Sequence, residues 1–190
     1  MTHPYTIPNL LTALRIALIP AVVVLFYLPQ GWADMACGLM FALAGITDSF
    51  DGYLARRLGQ VSPLGEFLDP VADKLIVATA LVLLVSRDPT WYVTLTAAVI
   101  IGREIAISAL REWMAEIGAR RKVAVSSLGK FKTILQIVGL SMMLFRQDLL
   151  FLPIYDIGLA LTVLAAALTL WSMAAYLRAA WPDLSARIGP

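Results

Sequence analysis

Asp48-Ser49-Phe50-Asp51-Gly52-Tyr53-Leu54-Ala55-Arg56 is followed, eight residues on, by Gly65-Glu66-Phe67-Leu68-Asp69-Pro70-Val71-Ala72-Asp73. Long apolar runs lie before and after this pair of stretches, so four aspartates fall at the edge of segments that read as membrane spans. Carboxylates at membrane depth are costly and are normally kept for a function. The fold is read outward from this point.

The chain has 190 residues, 60% hydrophobic and only 15% charged. Soluble domains carry about 25% charged residues, so the class is an integral membrane protein. No basic leader with a small-residue cleavage site opens the sequence, and no detachable signal peptide is expected. Cys37 is the only cysteine and His3 the only histidine. An internal disulfide is therefore excluded, and thiol or imidazole catalysis is disfavoured. A net charge of +2 does not point to nucleic acid.

Six helices of about 20 residues each, enough to span hydrocarbon, are expected near 9–28, 33–54, 64–85, 90–114, 128–145 and 153–180. A polar connection over 56–63 and a basic loop over 115–127 separate the middle helices. The reading is an all-α bundle of six transmembrane helices forming one domain over residues 1–190. Arg56, Arg57, Arg111, the cluster Arg120 to Lys122, Lys130, Lys132, Arg178 and Arg187 fall on one side, against Arg87 and Arg146 on the other. The positive-inside rule makes the first side cytoplasmic, with both termini and the acidic motif there.

Residues advance roughly 100° each along a helix. Asp48, Asp51, Gly52 and Ala55 then share one face, and Gly65, Asp69 and Asp73 share a face of the next helix. A short loop joins the two helices, which are expected to be antiparallel neighbours with acidic faces at one depth. Four facing carboxylates cannot all ionise without cations. Mg²⁺ and Mn²⁺ favour oxygen donors and commonly bridge carboxylates to substrate phosphates. A site for two such ions is expected, holding a phosphate-bearing substrate between them. Gly52, Ala55 and Gly65 leave room for a ligand, and Arg56 suits a diphosphate. Pro70 either bends the third helix or marks its start.

The spacing D-x2-D-G-x2-A-R-x8-G-x3-D-x3-D resembles the signature of the CDP-alcohol phosphotransferases at every fixed position. The resemblance implies six transmembrane helices, a homodimer, two divalent cations, and transfer of a phosphoalcohol group from a CDP-linked donor with release of CMP. It implies that Asp48, Asp51 and Asp69 are metal ligands. Asp73 becomes the general base, which also touches a metal. Asp48, Gly52, Ala55, Arg56 and Gly65 become the cradle for the CDP moiety.

Further segments narrow the resemblance. They are Ile7-Pro8-Asn9-Leu10-Leu11-Thr12 with Arg15, Gly102-Arg103-Glu104, Ser108 to Met114, Val123 to Ser126 and Gly129 to Thr133. Together they are similar to the bacterial members that move phosphatidyl from CDP-diacylglycerol to sn-glycerol 3-phosphate. This implies the bacterial inner membrane as the location. Glycerol 3-phosphate is a dianion, and Arg111, Lys130, Lys132 and Arg103 are the candidates to hold it. Arg103 also has a plainer role as partner of Glu104, and the two lysines as a cytoplasmic flank. Asn9, Thr12 and Arg15 lie close to one helical face. Asn9 and Thr12 are candidate nucleotide contacts, or else cap and pack the first helix. Lys74 is expected to pair with an acid. Two rivals stand beside this reading: another acceptor such as inositol phosphate, and a divalent-cation transporter, for which no inverted repeat or broken helix is visible.

Overall fold

The computed structural model describes residues 7–58, 63–117 and 127–188. Within these, only the backbone is described at 7–9, 48–58, 63, 64, 66, 127–130, 179, 180 and 182–188. Six helices form: α1 (Ile7–Tyr27), α2 (Gly31–Leu58), α3 (Pro63–Arg87), α4 (Trp91–Glu116), α5 (Ser127–Phe145) and α6 (Ile154–Ile188). No strand forms among the described residues, only an isolated bridge between Leu149 and Leu152.

Among the described residues three apolar stretches are long enough to cross a bilayer: Leu10–Tyr27, Trp91–Glu116 and Ile154–Arg178. Shorter apolar stretches, Gly31–Thr47 and Phe131–Phe145, belong to α2 and α5. In α3 the apolar run is interrupted by Asp69, Asp73 and Lys74 near one end and by Arg87 at the other. The helices that look least like spans are thus those that carry the charged motif residues. Several hydroxyls inside the spans are satisfied locally. Those of Thr96, Ser108, Ser141 and Thr162 each donate to the carbonyl four residues back.

Two boundaries differ from expectation. α2 runs on through Arg56 and Arg57 to Leu58, where a loop was expected, and α6 runs past Ala180 to Ile188. A helix does not stop where hydrocarbon stops, because its hydrogen bonds are internal. Pro70 lies inside α3, seven residues after its start, so it does not begin the helix.

Among the described residues α2 and α3 touch lightly and α1 packs against both; the acidic end of α2, where the two were expected to meet, lies outside the residues whose side chains are described. α5 packs most closely on α6 and also on α2, while α4 lies on α6 and more lightly on α3. Phe26, Phe41, Leu81, Leu84, Leu140 and Met143 form the centre of the buried core. At the end away from the aspartate motif, polar contacts gather the three turns. Arg87 pairs with Asp34 at 2.5 Å, donates to the Phe26 carbonyl and stacks 3.8 Å over the Phe26 ring. Gln147 donates to the Gly31 carbonyl. The Tyr155 hydroxyl donates to Asp88 at 2.6 Å, a bond that holds the Asp88 carboxyl below its ordinary pKa.

The α5–α6 contact needs two glycines. A Cβ on Gly139 would meet the Gly158 carbonyl oxygen at 2.8 Å, and one on Gly158 would meet the Gly139 carbonyl oxygen at 2.7 Å. Such backbone approach is how helices pack tightly where lipid supplies no hydrophobic drive. Gly139→Ala should lower thermal stability in detergent by about 1–3 kcal/mol, as overpacking does. Gly102→Ala, with nothing within 4 Å of the new carbon, should not. Equal melting of the two variants would contradict the close-packing account.

Candidate active site

The site is assembled from the ends of the helices opposite those turns. On α1, Thr12 and Arg15 are three apart and both fully buried, at 0% and 1% exposure. On α3, Asp69 and Asp73 are one turn apart and present one face. The two faces interlock. The Thr12 hydroxyl donates to Asp69, and the Arg15 guanidinium pairs with Asp73 at 2.5 Å. Asp73 keeps 40% of its side chain exposed while its arginine is sealed in.

That exposed part faces a cavity of about 600 Å³ to which all six helices contribute. Apolar side chains such as Phe41, Ile76, Ile100 and Ile137 form much of its wall. Among the described residues its charges are unbalanced: Arg15, Lys74, Arg103, Arg111 and Lys132 supply five cations, against the two carboxylates of Asp73 and Glu104. Low-dielectric walls lined by one sign of charge concentrate the opposite ion. The cavity is therefore built to receive an anion beside a carboxylate.

Arg103 donates to Glu104 at 3.0 Å and reaches Ser172 at 3.5 Å. The Arg111 guanidinium lies 5.6 Å from the Tyr176 ring centroid, within cation–π range. The Nε atoms of Arg103 and Arg111 are buried without a hydrogen-bond partner among the described residues. A buried donor left unmade costs about 1–3 kcal/mol, so both arginines retain a demand for an acceptor. Lys132 is buried, at 8% exposure.

The sequence candidates thus divide into three groups. Asp73, Arg103, Arg111 and Lys132 come together around one cavity. Arg103 does so while also holding Glu104, so its two expected roles coexist. Asp69 and Thr12 bind each other beside it, and the fully buried Thr12 gives its hydroxyl hydrogen to a carboxylate. Gly65 is buried in the first turn of α3. The side chains of Asn9, Asp48, Asp51, Gly52, Ala55, Arg56 and Lys130 lie outside the described residues, as does the loop holding Arg120, Arg121 and Lys122. Among the described residues no group of three potential metal ligands occurs, Asp69 and Asp73 being the described pair of the four aspartates.

Three features differ from the sequence reading or go beyond it. Lys74 makes no ion pair among the described residues and lines the cavity instead. Arg15 is the partner of Asp73, 58 residues away, a pairing that helical periodicity could not select. Ser172 and Tyr176 on α6 lie in no motif that spacing or charge would flag.

A family model described as CDP-alcohol phosphatidyltransferase matches residues 5–171. A protein of Salmonella choleraesuis named CDP-diacylglycerol–glycerol-3-phosphate 3-phosphatidyltransferase is 54% identical over 180 residues, covering 95% of this chain and 97% of the relative. Proteins of the same name from Shigella flexneri and Pectobacterium atrosepticum are 53% identical over the same shares. With its acidic motif shared between α2 and α3, its bundle of six helices and its match along almost the whole length, the chain belongs to the CDP-alcohol phosphatidyltransferase family of multi-pass membrane enzymes.

Proposed function

We propose that this enzyme transfers the phosphatidyl group from CDP-diacylglycerol to sn-glycerol 3-phosphate, giving phosphatidylglycerophosphate and CMP. The observation that carries the acceptor assignment is the single cavity holding Asp73 together with Arg103, Arg111 and Lys132. An acceptor that carries both a phosphate and a hydroxyl matches a pocket that combines several cations with a carboxylate. The curated relatives carry that acceptor in their names.

In this reading Asp73 takes the proton from the C1 hydroxyl of glycerol 3-phosphate. The oxygen attacks the phosphorus next to diacylglycerol, the bond to the bridging oxygen breaks, and CMP leaves with it. Arg15, buried and paired with Asp73, fixes the direction of the base. Arg111, Lys132, Lys130 and Arg103 hold the acceptor phosphate. The CDP moiety rests against Asp48, Gly52, Ala55, Arg56, Gly65 and Asn9, and Thr12 acts on it through Asp69.

Asp48, Asp51, Asp69 and Asp73 are the residues that would hold two Mg²⁺ or Mn²⁺ ions. Asp69 and Asp73 fit in kind: both are hard oxygen donors, one turn apart, held in place by α1. A carboxylate offers about four lone-pair sites, so the bond from Thr12 does not exhaust Asp69. Bound ions would neutralise charge on the diphosphate and on the transferring group. The reading further includes the bacterial inner membrane, a site facing the cytoplasm by the Lys/Arg asymmetry, and a homodimer.

Asp73→Asn should reduce CMP release by about 10²–10⁴-fold, the range for loss of a general base, while CDP-diacylglycerol binding persists. Wild-type turnover in that variant would remove Asp73 from the chemistry. Chelation should stop CMP release, and Mg²⁺ or Mn²⁺ should restore it. Calorimetric titration with Mn²⁺ should give weaker binding in Asp69→Asn. Activity indifferent to chelation would contradict the metal assignment.

A further inference from the structure

The sixth helix carries no motif residue, yet two of its side chains touch both arginines of α4. Ser172 and Tyr176 are one helical turn apart and lie on one face of α6. Arg103 donates to Ser172 at 3.5 Å, and Arg111 lies over Tyr176 at 5.6 Å. The Ser172 hydroxyl gives its own hydrogen to the Thr169 carbonyl at 2.9 Å, which leaves its oxygen as the acceptor for Arg103. All four residues line the cavity that holds Asp73.

Tyr176 is itself fixed. It packs with Leu110, Trp113 and Ile117 around Met114, which is fully buried. A ring held in this way offers the guanidinium a flat, electron-rich face. Arginine otherwise has about 2 kcal/mol of rotamer entropy to lose when it grips a ligand. An aromatic face restrains the fork without consuming its in-plane N–H donors, and Arg111 Nε has no hydrogen-bond partner among the described residues. A preset fork discriminates strongly for a phosphate oxygen, because an acceptor lacking one leaves the buried donors unmade.

We infer that Tyr176 is a positioning residue that sets the Arg111 guanidinium for the phosphate of the acceptor, so that α6 determines selectivity for phosphomonoester acceptors. The inference rests on the acceptor pocket proposed above. It requires the face of the Tyr176 ring and not its hydroxyl.

The test is steady-state CMP release by the purified full chain, with glycerol 3-phosphate and CDP-diacylglycerol varied separately. Tyr176→Leu should raise KM for glycerol 3-phosphate about threefold to thirtyfold, the span from exposed to desolvated cation–π contacts, with kcat and KM for CDP-diacylglycerol nearly unchanged. Tyr176→Phe should restore the wild-type KM. Tyr176→Met, suited to the Met114 cluster, serves as a second loss-of-ring variant should the leucine variant not fold. Arg111→Ala is the control for the pocket. An unchanged KM in Tyr176→Leu or Tyr176→Met beside a raised KM in Arg111→Ala overturns the inference alone. An unchanged KM in all of them overturns the acceptor pocket as well. A fall in kcat with both KM values shifted together, unrescued by phenylalanine, assigns Tyr176 a packing role and also overturns the inference.

Discussion

A guanidinium sealed inside a membrane protein needs a counter-charge, and Arg15 finds it in Asp73. Breaking such a pair by removing one partner leaves an uncompensated charge, at a cost of about 3–5 kcal/mol. This pairing constrains much else in the structure. It draws α1 against α3, with Thr12 and Asp69 closing the same seam. Among the described residues α1 packs against both α2 and α3. The pairing also fixes the carboxylate proposed as the base, which arginine holds where it lines the cavity.

The cavity then divides its labour by helix. α1 supplies the arginine that orients the acid, and α3 the acid itself. α4 supplies Arg103 and Arg111, α5 supplies Lys132, and α6 supplies the side chains against which those arginines lie. Excess positive charge among apolar walls suits an anionic substrate whose other partner arrives from lipid. The opposite end of the bundle is tied by Arg87, Asp34, Asp88 and Tyr155, contacts of structural character that leave the site end to carry function. The tight seam of Gly139 and Gly158 keeps α5 and α6, and hence Lys132 and Tyr176, in fixed register.

Much of this was legible in the residues. Apolar runs near the length of a bilayer mark helices without help from tertiary structure, and six were found where six were expected. The acidic spacing carried the family, and of the four cations expected to hold the acceptor phosphate Arg103, Arg111 and Lys132 line one cavity, while the side chain of Lys130 lies outside the described residues. Hydropathy could not mark the ends of α2 and α6, because helix hydrogen bonding continues into water past Arg57 and past Ala180. Periodicity told which residues share a face but not which helix that face meets. Arg15 was therefore visible beside Thr12 while its partner was not. Tyr176 and Ser172 carry no charge and no motif, and only packing reveals them.

The contact on which the rest depends can be measured directly by a double-mutant cycle on thermal unfolding in detergent, using Arg15→Ala, Asp73→Asn and both together. If the two side chains are joined as described, the double variant will be less destabilised than the sum of the singles, with a coupling of about 1–3 kcal/mol. Strict additivity would mean that Arg15 and Asp73 do not meet, and the architecture derived from their pairing would be wrong.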